Sequence, residues 1–218
     1  MRRILALIPT YLFQPILVPA YGIGLVGVSS FFYDYSPVLK SVILGISFLI
    51  AVIAPLMWYL LLRMTGVITT SQASDRHERK WAYLFTLSAY AVVAFLCFYF
   101  GVELYYTYLW VGAFFALSVV YVVNYFWKIS AHATGMGGLM GAVIFLSFFL
   151  CKMPLFLIIV LSLCSGWVMW SRLELKAHTP GQLIAGYALG LFSMLFLPFY
   201  VLFLNFVAHS GIEPLFQE

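Results

Sequence analysis

Long apolar stretches separated by short polar segments run along the whole chain of 218 residues. An α-helix needs about 20 mainly apolar residues to cross the hydrocarbon core of a bilayer, and seven stretches approach or exceed that length. They cover residues 4–31, 38–62, 81–101, 106–127, 134–151, 154–171 and 182–207. The pattern predicts an all-α polytopic transmembrane helical bundle with six or seven spans. The first stretch contains Pro15 and Pro19, so we expect it to be tilted, kinked or partly interfacial.

Three polar segments interrupt this pattern, at residues 69–80, 128–132 and 171–182. Two predicted spans separate the first segment from the second, and two more separate the second from the third. An even number of crossings returns a chain to the same side of the membrane. We therefore predict that the three polar segments lie at one membrane face and converge there.

The composition supports a membrane protein without a separate soluble domain. Apolar residues make up 65% of the chain and charged residues only 8%, with a mean hydropathy of +1.05, whereas soluble domains carry about 25% charged residues. The predicted spans use nearly the whole length, so residues 1–218 are interpreted as one integral membrane domain surrounded by the lipid bilayer. Although Met1 to Phe13 resembles a signal peptide, no small-residue cleavage site follows, and we interpret this segment as membrane helix.

Charge and cysteine content exclude several other classes of protein. The net charge of +4 comes without a long Lys/Arg run, so no nucleic-acid partner is expected. Cys97, Cys151 and Cys164 are scattered through apolar stretches and form neither a metal motif nor a disulfide framework. The sequence predicts no metal and no cofactor, and it does not indicate an oligomeric state.

Lys and Arg residues are unequally divided between the two predicted membrane faces. The opposite face holds Lys40 and Lys152, whereas the face with the polar segments holds Arg2, Arg3, Arg63, Arg76, Arg79, Lys80, Lys128, Arg172 and Lys176. Such an excess predicts a cytoplasmic face, in a membrane of the bacterial inner-membrane type. A phosphate-binding site would itself recruit basic residues, but an excess persists when the suspected site residues are removed.

Two histidines stand where a helix meets the membrane surface. His132 precedes a glycine-rich helix start, and His178 follows the basic residues Arg172 and Lys176. A single arginine binds two phosphate oxygens at once through its guanidinium group. Histidine acts as nucleophile or general acid, and a helix N-terminus favours an anion. The set indicates a phosphate site. Each element also has a structural interpretation, as a helix cap, an interfacial anchor or, for Gly135 to Gly141, small-residue helix packing.

Three short motifs resemble those of the type-2 phosphatidic acid phosphatase superfamily. Ser171-Arg172, five residues and then His178 is similar to the third family signature, Ser-Arg, five residues, His, three residues, Asp. Ser130-Ala131-His132 is similar to the second, Pro-Ser-Gly-His. Residues 75–79 resemble a degraded first signature, which is Lys, six residues, Arg-Pro. The resemblance covers roughly residues 60–205.

The resemblance implies a role for each matching residue. His178 would be the nucleophile that takes the phosphoryl group, and His132 would protonate the leaving lipid alkoxide. Phosphate oxygens would be bound by Arg172 and Arg79, by the hydroxyl of Ser130 and by the backbone N–H of Ala131. Family members act on lipid phosphates without a metal, through a phosphohistidine intermediate.

The chain departs from the family pattern at several positions. Gln182 replaces the Asp that orients and charges the nucleophilic histidine; its carbonyl can accept an Nδ1–H bond but cannot stabilise an imidazolium by charge. Glu174, four residues before His178, would substitute if the helix continued that far. The first-signature Lys is absent, because Gln72 stands in its place. Supporting positive charge would come from other basic residues, namely Arg76, Lys80, Lys128 and Lys176.

These features predict metal-independent hydrolysis of a lipid or isoprenoid phosphate. Two alternatives stay open. One is a lipid phosphotransferase on the same core, and the other is a catalytically retired lipid-binding membrane protein, which the change to Gln182 favours. A transporter fits less well, because no acidic residue lies in the middle of a predicted span to bind a coupling ion. The sequence does not identify the lipid.

Overall fold

The computed structural model describes residues 2–69, 76–149 and 154–209, without the side chains of 76–77, 149, 197–199 and 201–209. Within these residues all regular secondary structure is helical. The helices are α1 (Arg2–Leu12), α2 (Val18–Val28), α3 (Pro37–Phe48), α4 (Ala54–Met64), α5 (Arg76–Tyr99), α6 (Leu104–Val123), α7 (Ala131–Ile144), α8 (Phe156–Glu174) and α9 (Pro180–His209). A 3₁₀ turn follows α2 at Ser30–Phe32, and π turns lie at Leu49–Ile53 and Phe145–Phe149.

Five helical segments of the described chain are long and apolar enough to cross a membrane. They are Pro37–Met64, Glu78–Tyr99, Leu104–Val123, Ala131–Phe148 and Phe156–Glu174. Val18–Val28 and the fully described part of α9, Pro180–Phe196, are shorter apolar helices. The prediction of a helical membrane bundle is confirmed, and four of the predicted spans coincide with α5 to α8.

The first predicted span, residues 4–31, is divided into two helices. The chain leaves α1 after Leu12 and enters α2 at Val18, with Pro15 in the connection. Because Pro lacks a backbone N–H and its ring clashes with the preceding turn, it ends a helix. At 1.5 Å per residue, the 11 residues of α2 rise only about 16 Å, roughly half the thickness of the hydrocarbon core.

Helix α1 has the character of an interfacial helix. It begins with the exposed Arg2 and Arg3, exposes Ile4 and Ile8 and buries Thr10. An apolar stripe on one side and basic residues at one end are typical of helices that lie at the membrane surface. The buried side of α1 packs on α8.

Glycines bring α7 and α9 into backbone contact. A Cβ atom added at Gly137 would overlap the carbonyl oxygen of Tyr187, and one at Gly141 would lie 2.6 Å from that of Leu191. On the opposing helix, a Cβ at Gly186 would lie 2.7 Å from the oxygen of Ser130. Small residues allow such close approach in membrane bundles, so the interpretation of Gly137 and Gly141 as packing positions is confirmed. The contact also holds the start of α9 against the start of α7.

Candidate functional site

The three polar segments meet at one end of a cavity of about 240 Å³ inside the bundle. Arg79 reaches it from α5, His132 from α7 and Arg172 from α8, while His178 comes from the connection between α8 and α9. Ala131, the first residue of α7, also lines this end. The convergence predicted from the even number of crossings is therefore present.

A tight turn at the end of α8 brings His178 back towards Arg172. The backbone N–H of Ala177 donates to the carbonyl of Arg172 at 3.0 Å, and that of Lys176 donates to the carbonyl of Leu173 at 2.9 Å. This bond pair defines a Schellman motif, in which one residue adopts a left-handed conformation; here Lys176 has φ of 51°. The motif explains why five residues separate the arginine from the histidine.

Two carbonyl oxygens fix the tautomer of His178. Its Nδ1 atom lies 3.1 Å from the backbone oxygen of Lys128 and 3.1 Å from Oε1 of Gln182. Carbonyl oxygens only accept hydrogen bonds, so Nδ1 carries the proton. In the neutral ring Nε2 then holds a lone pair, which is the form a nucleophile requires.

Gln182 holds its side-chain oxygen in place through a capping box at the start of α9. Oε1 accepts from the backbone N–H of Thr179 at 3.1 Å, and the Gln182 N–H donates to the hydroxyl of Thr179 at 3.4 Å. This reciprocal pair between the N-cap residue and the third helical residue is a common helix start. It orients Oε1 towards His178, so the contact predicted between Gln182 and Nδ1 is present.

Glu174 does not take the place of the Asp that the resemblance led us to expect. The condition for that role was a helix continuing to His178, but α8 ends at Glu174, which is exposed. Lys176 is exposed as well and does not line the cavity. The Schellman turn is the physical reason, because it directs both side chains away while it returns the backbone to the site.

His178 is held neutral by its surroundings. Burial lowers the pKa of its imidazole, and the positive charges of Arg172, Arg79 and Lys128 lower it further, whereas the hydrogen bond to Gln182 raises it; the resulting pKa is about 4. Both burial and nearby positive charge disfavour imidazolium. At neutral pH the ring is therefore uncharged and keeps its Nε2 lone pair.

Two guanidinium groups lie buried at this end of the cavity. Arg172 is 2% exposed and Arg79 is 8% exposed. Among the described residues that line the cavity, none is Asp or Glu. Two cations in an apolar interior without lining carboxylates favour a bound anion, and guanidinium groups suit phosphate oxygens in particular.

His132 lies in the first turn of α7 and faces the same space. Its Nε2 atom lies 3.1 Å from the backbone oxygen of Thr10, so Nε2 carries a proton and donates it. The N-cap of this helix is Ser130, whose hydroxyl accepts from the N–H of Ala133 at 3.3 Å. Ser130 is fully buried and does not line the cavity, so its donation to phosphate stays a prediction.

Thr10 of α1 is a site residue that the sequence reasoning missed. It is 2% exposed, and its hydroxyl lies 3.1 Å from that of Ser171 and accepts from Arg172 at 3.3 Å. Its backbone carbonyl contacts His132, so Thr10 contacts both α7 and α8. The only signal in the sequence is a lone hydroxyl in an apolar segment, which is too common to identify a site.

Of the remaining predicted basic residues, Lys128 and Lys80 do not line the cavity. Lys128 contributes its backbone carbonyl to His178. Lys80 places its ammonium group 5.2 Å from the centre of the Trp81 ring, a cation–π contact, and does not line the cavity. Arg76 begins α5, but its side chain lies outside the described residues.

Comparison with protein-family models, curated proteins and solved structures finds no match for this chain. The fold and the site define an α-helical membrane protein with a buried pocket of two arginines and two histidines at one end of an apolar cavity.

Proposed function

We propose that this protein hydrolyses a phosphate monoester or diphosphate carried by a lipid or isoprenoid, through a phosphohistidine intermediate. The observation that carries the proposal is the tautomer of His178, which leaves the Nε2 lone pair available beside Arg79, Arg172 and His132. The resemblance to the type-2 phosphatidic acid phosphatase superfamily assigns the same residues to the same chemistry.

The first step transfers the phosphoryl group to the protein. Nε2 of His178 donates its lone pair to phosphorus, and a P–N bond forms as the bond between phosphorus and the lipid oxygen breaks. The negative charge of the bound phosphate favours the imidazolium form of His132, whose Nε2 proton, held by the Thr10 carbonyl in the free protein, passes to the leaving oxygen. A lipid alcohol departs, or a lipid monophosphate from a diphosphate, and His132 is left as a neutral imidazole with a lone pair on Nε2.

The second step regenerates the protein. Deprotonated Nε2 of His132 takes a proton from water, the oxygen attacks phosphorus and the P–N bond to His178 breaks. Orthophosphate is released. In both steps Arg172 and Arg79 stabilise the negative charge on the equatorial oxygens, in a buried setting where such charges act more strongly than in water.

Gln182 makes the proposed enzyme slow. When His178 attacks phosphorus, its ring becomes positively charged, and a carboxylate at Nδ1 would stabilise that charge. The neutral Oε1 of Gln182 supplies orientation alone. The same observation supports the second candidate function, a lipid-binding membrane protein that binds phosphate without turnover.

Phosphate release from purified protein tests the proposal. The substrates are a panel of lipid phosphates and isoprenyl diphosphates in detergent with a chelator present. Release by the wild type and its loss in His178→Ala support hydrolysis. Lys176→Gly is the matched control, because it removes an exposed positive charge beside the site and suits the positive φ at that position.

Three other outcomes separate the alternatives. If neither the wild type nor Gln182→Glu releases phosphate from any of the substrates, hydrolysis is contradicted. Binding of a lipid phosphate by the purified protein, without release of inorganic phosphate, would favour the lipid-binding function. Transfer of the phosphoryl group to an alcohol, with little free phosphate, would favour the phosphotransferase.

We also propose that the site faces the cytoplasm of a bacterial-type cell membrane. The support is the excess of Lys and Arg on the face of the polar segments. A cysteine placed at the exposed position 176 should react with a membrane-impermeant maleimide in inside-out vesicles and not in intact cells. The opposite labelling pattern would reverse the orientation.

A further inference from the structure

The cavity continues far beyond the two histidines. Along α7 and the π turn that follows it, the cavity is lined from His132 to Leu146, which lies 14 residues later, and on α6 it is lined from Val120 back to Tyr106, also 14 residues away. At 1.5 Å per residue each path is about 21 Å long. Two helices thus give the same depth, about two-thirds of the hydrocarbon core of a bilayer.

The deep part of this chamber is mainly apolar and is lined at its far end by aromatic rings. Its walls include Ile23 and Leu139, and its far end is formed by Tyr90, Tyr106 and Trp110. The Trp110 ring centroid lies 5.7 Å from that of Tyr90 and 6.1 Å from that of Tyr106. A cavity with a positively charged end and an apolar body matches an amphiphile with a phosphate head and a hydrocarbon tail.

Small residues along the walls leave the space of the chamber unfilled. Gly135, Gly138, Ala113, Ala116 and Ala142 all line it. A volume of about 240 Å³ spread over about 21 Å leaves a mean cross-section of about 11 Å², too narrow for two hydrocarbon chains side by side. The walls of the deep part come mainly from α2, α5, α6 and α7, so this part lies between helices.

We propose that the chamber holds the single hydrocarbon tail of the substrate, so that this protein acts on single-chain lipid phosphates in preference to two-chain ones. Only the placement of the phosphate group in this inference rests on the proposed function. A second acyl chain attached to the same headgroup would have no place in the chamber and would have to stay in the bilayer.

Photolabelling with hexadecyl phosphate that carries a diazirine at the end of its chain tests the inference. With purified wild type we expect the label on peptides around Trp110 and Leu146, at the far end of the chamber. Excess unlabelled hexadecyl phosphate should remove this label, and a two-chain phosphatidic acid should not. Label confined to lipid-facing residues such as Phe98 and Phe115, or equal competition by both lipids, would overturn the inference.

A block placed halfway along the chamber sharpens the test. Ala113 lies seven residues from Val120, about 10 Å along α6, and Ala113→Phe should shift the label towards Leu117 by about that distance. Val122→Phe is the matched control, since Val122 is 56% exposed on the same helix and its replacement should leave the label in place. An unchanged label in Ala113→Phe would contradict the chamber, and the wild-type label decides the question even if that variant does not fold.

Phosphate release from hexadecyl phosphate, measured in parallel, separates the two proposals. Label at the far end without release, by the wild type and by Gln182→Glu, would count against hydrolysis and leave the chain site standing. Release with label outside the chamber would refute the chain site and leave hydrolysis standing.

Discussion

Gln182 accepts a hydrogen bond from His178 through the same side-chain oxygen that caps α9. Oε1 lies 3.1 Å from Nδ1 of His178 and 3.1 Å from the backbone N of Thr179. The residue that replaces the carboxylate expected from the family resemblance is therefore part of the helix start and part of the candidate site. A substitution here must satisfy both contacts.

Gln182→Glu should raise phosphate release by about tenfold or more. Glu has the length of Gln and serves equally well in a capping box, and its carboxylate adds the charge that stabilises the imidazolium during attack. Gln182→Asp places the family residue but shortens the reach to Thr179, so its gain should be smaller. Gln182→Met is the control without an acceptor, and a rate no lower than wild type in that variant would contradict the role.

In the pH profile of kcat/KM, the fall in activity at acid pH should occur well below the ordinary pKa of histidine. Because the pKa of His178 is lowered to about 4, the nucleophile stays neutral as pH falls from 7 to 5 and is lost only as pH passes through about 4. The pH profile of kcat/KM for the free enzyme measures this value. In Gln182→Glu the added charge raises the pKa, and the acid limb should move to higher pH; a limb near 6.5 in the wild type would contradict the burial argument.

Protein stability should depend on the same proton. The unfolded chain protonates His178 near its ordinary pKa of about 6.5, whereas the folded protein does so only near 4. Between these values the unfolded state binds more protons, so the free energy of unfolding falls as pH is lowered from 6.5 to 4. The melting temperatures of wild type and His178→Gln at the two ends of this pH range isolate the effect. We expect a larger loss on acidification in the wild type than in the variant. Equal losses would show that the pKa of His178 in the folded protein is ordinary.

Thr10→Val should destabilise the protein by about 1–3 kcal/mol, because it leaves buried polar groups of Ser171 and Arg172 without the hydroxyl they contact. The backbone contact from His132 is unchanged by this replacement. Thr10→Ser retains the hydroxyl and serves as the control. Equal melting temperatures for the Val and Ser variants would show that the contact contributes nothing.

Gly190→Ala should cost about 1–3 kcal/mol of stability, since overpacking forces the backbone apart. A Cβ at Gly190 would overlap the carbonyl oxygen of Thr134 and lie 2.6 Å from the N of Gly138. At Gly166 nothing lies within 4 Å of an added Cβ, so Gly166→Ala should be neutral or stabilise α8 by about 0.5–1 kcal/mol. Similar melting temperatures for the two variants would refute close packing of α7 on α9.

The positions of the apolar helices were largely predictable because hydropathy is a local property and the thickness of a bilayer is fixed. Counting apolar segments was enough to bring residues 79, 132, 172 and 178 to one face, and the cavity they line agrees. The first segment was less predictable. Its prolines indicated a kink, but only the packing of α1 on α8 shows that the chain divides there into two short helices.

The identities of Arg79, His132, Arg172 and His178, and the helical or interfacial place of each, came from the sequence by itself. The tertiary structure alone decided the hydrogen bonds that give them a chemical form. The proton on Nδ1 of His178 depends on a carbonyl 50 residues away, and Thr10 meets Ser171 across 161 residues. Helix propensity and hydropathy add up along the chain, whereas a hydrogen bond requires two atoms to approach within about 3 Å at a suitable angle. Only the packing of the helices sets that distance.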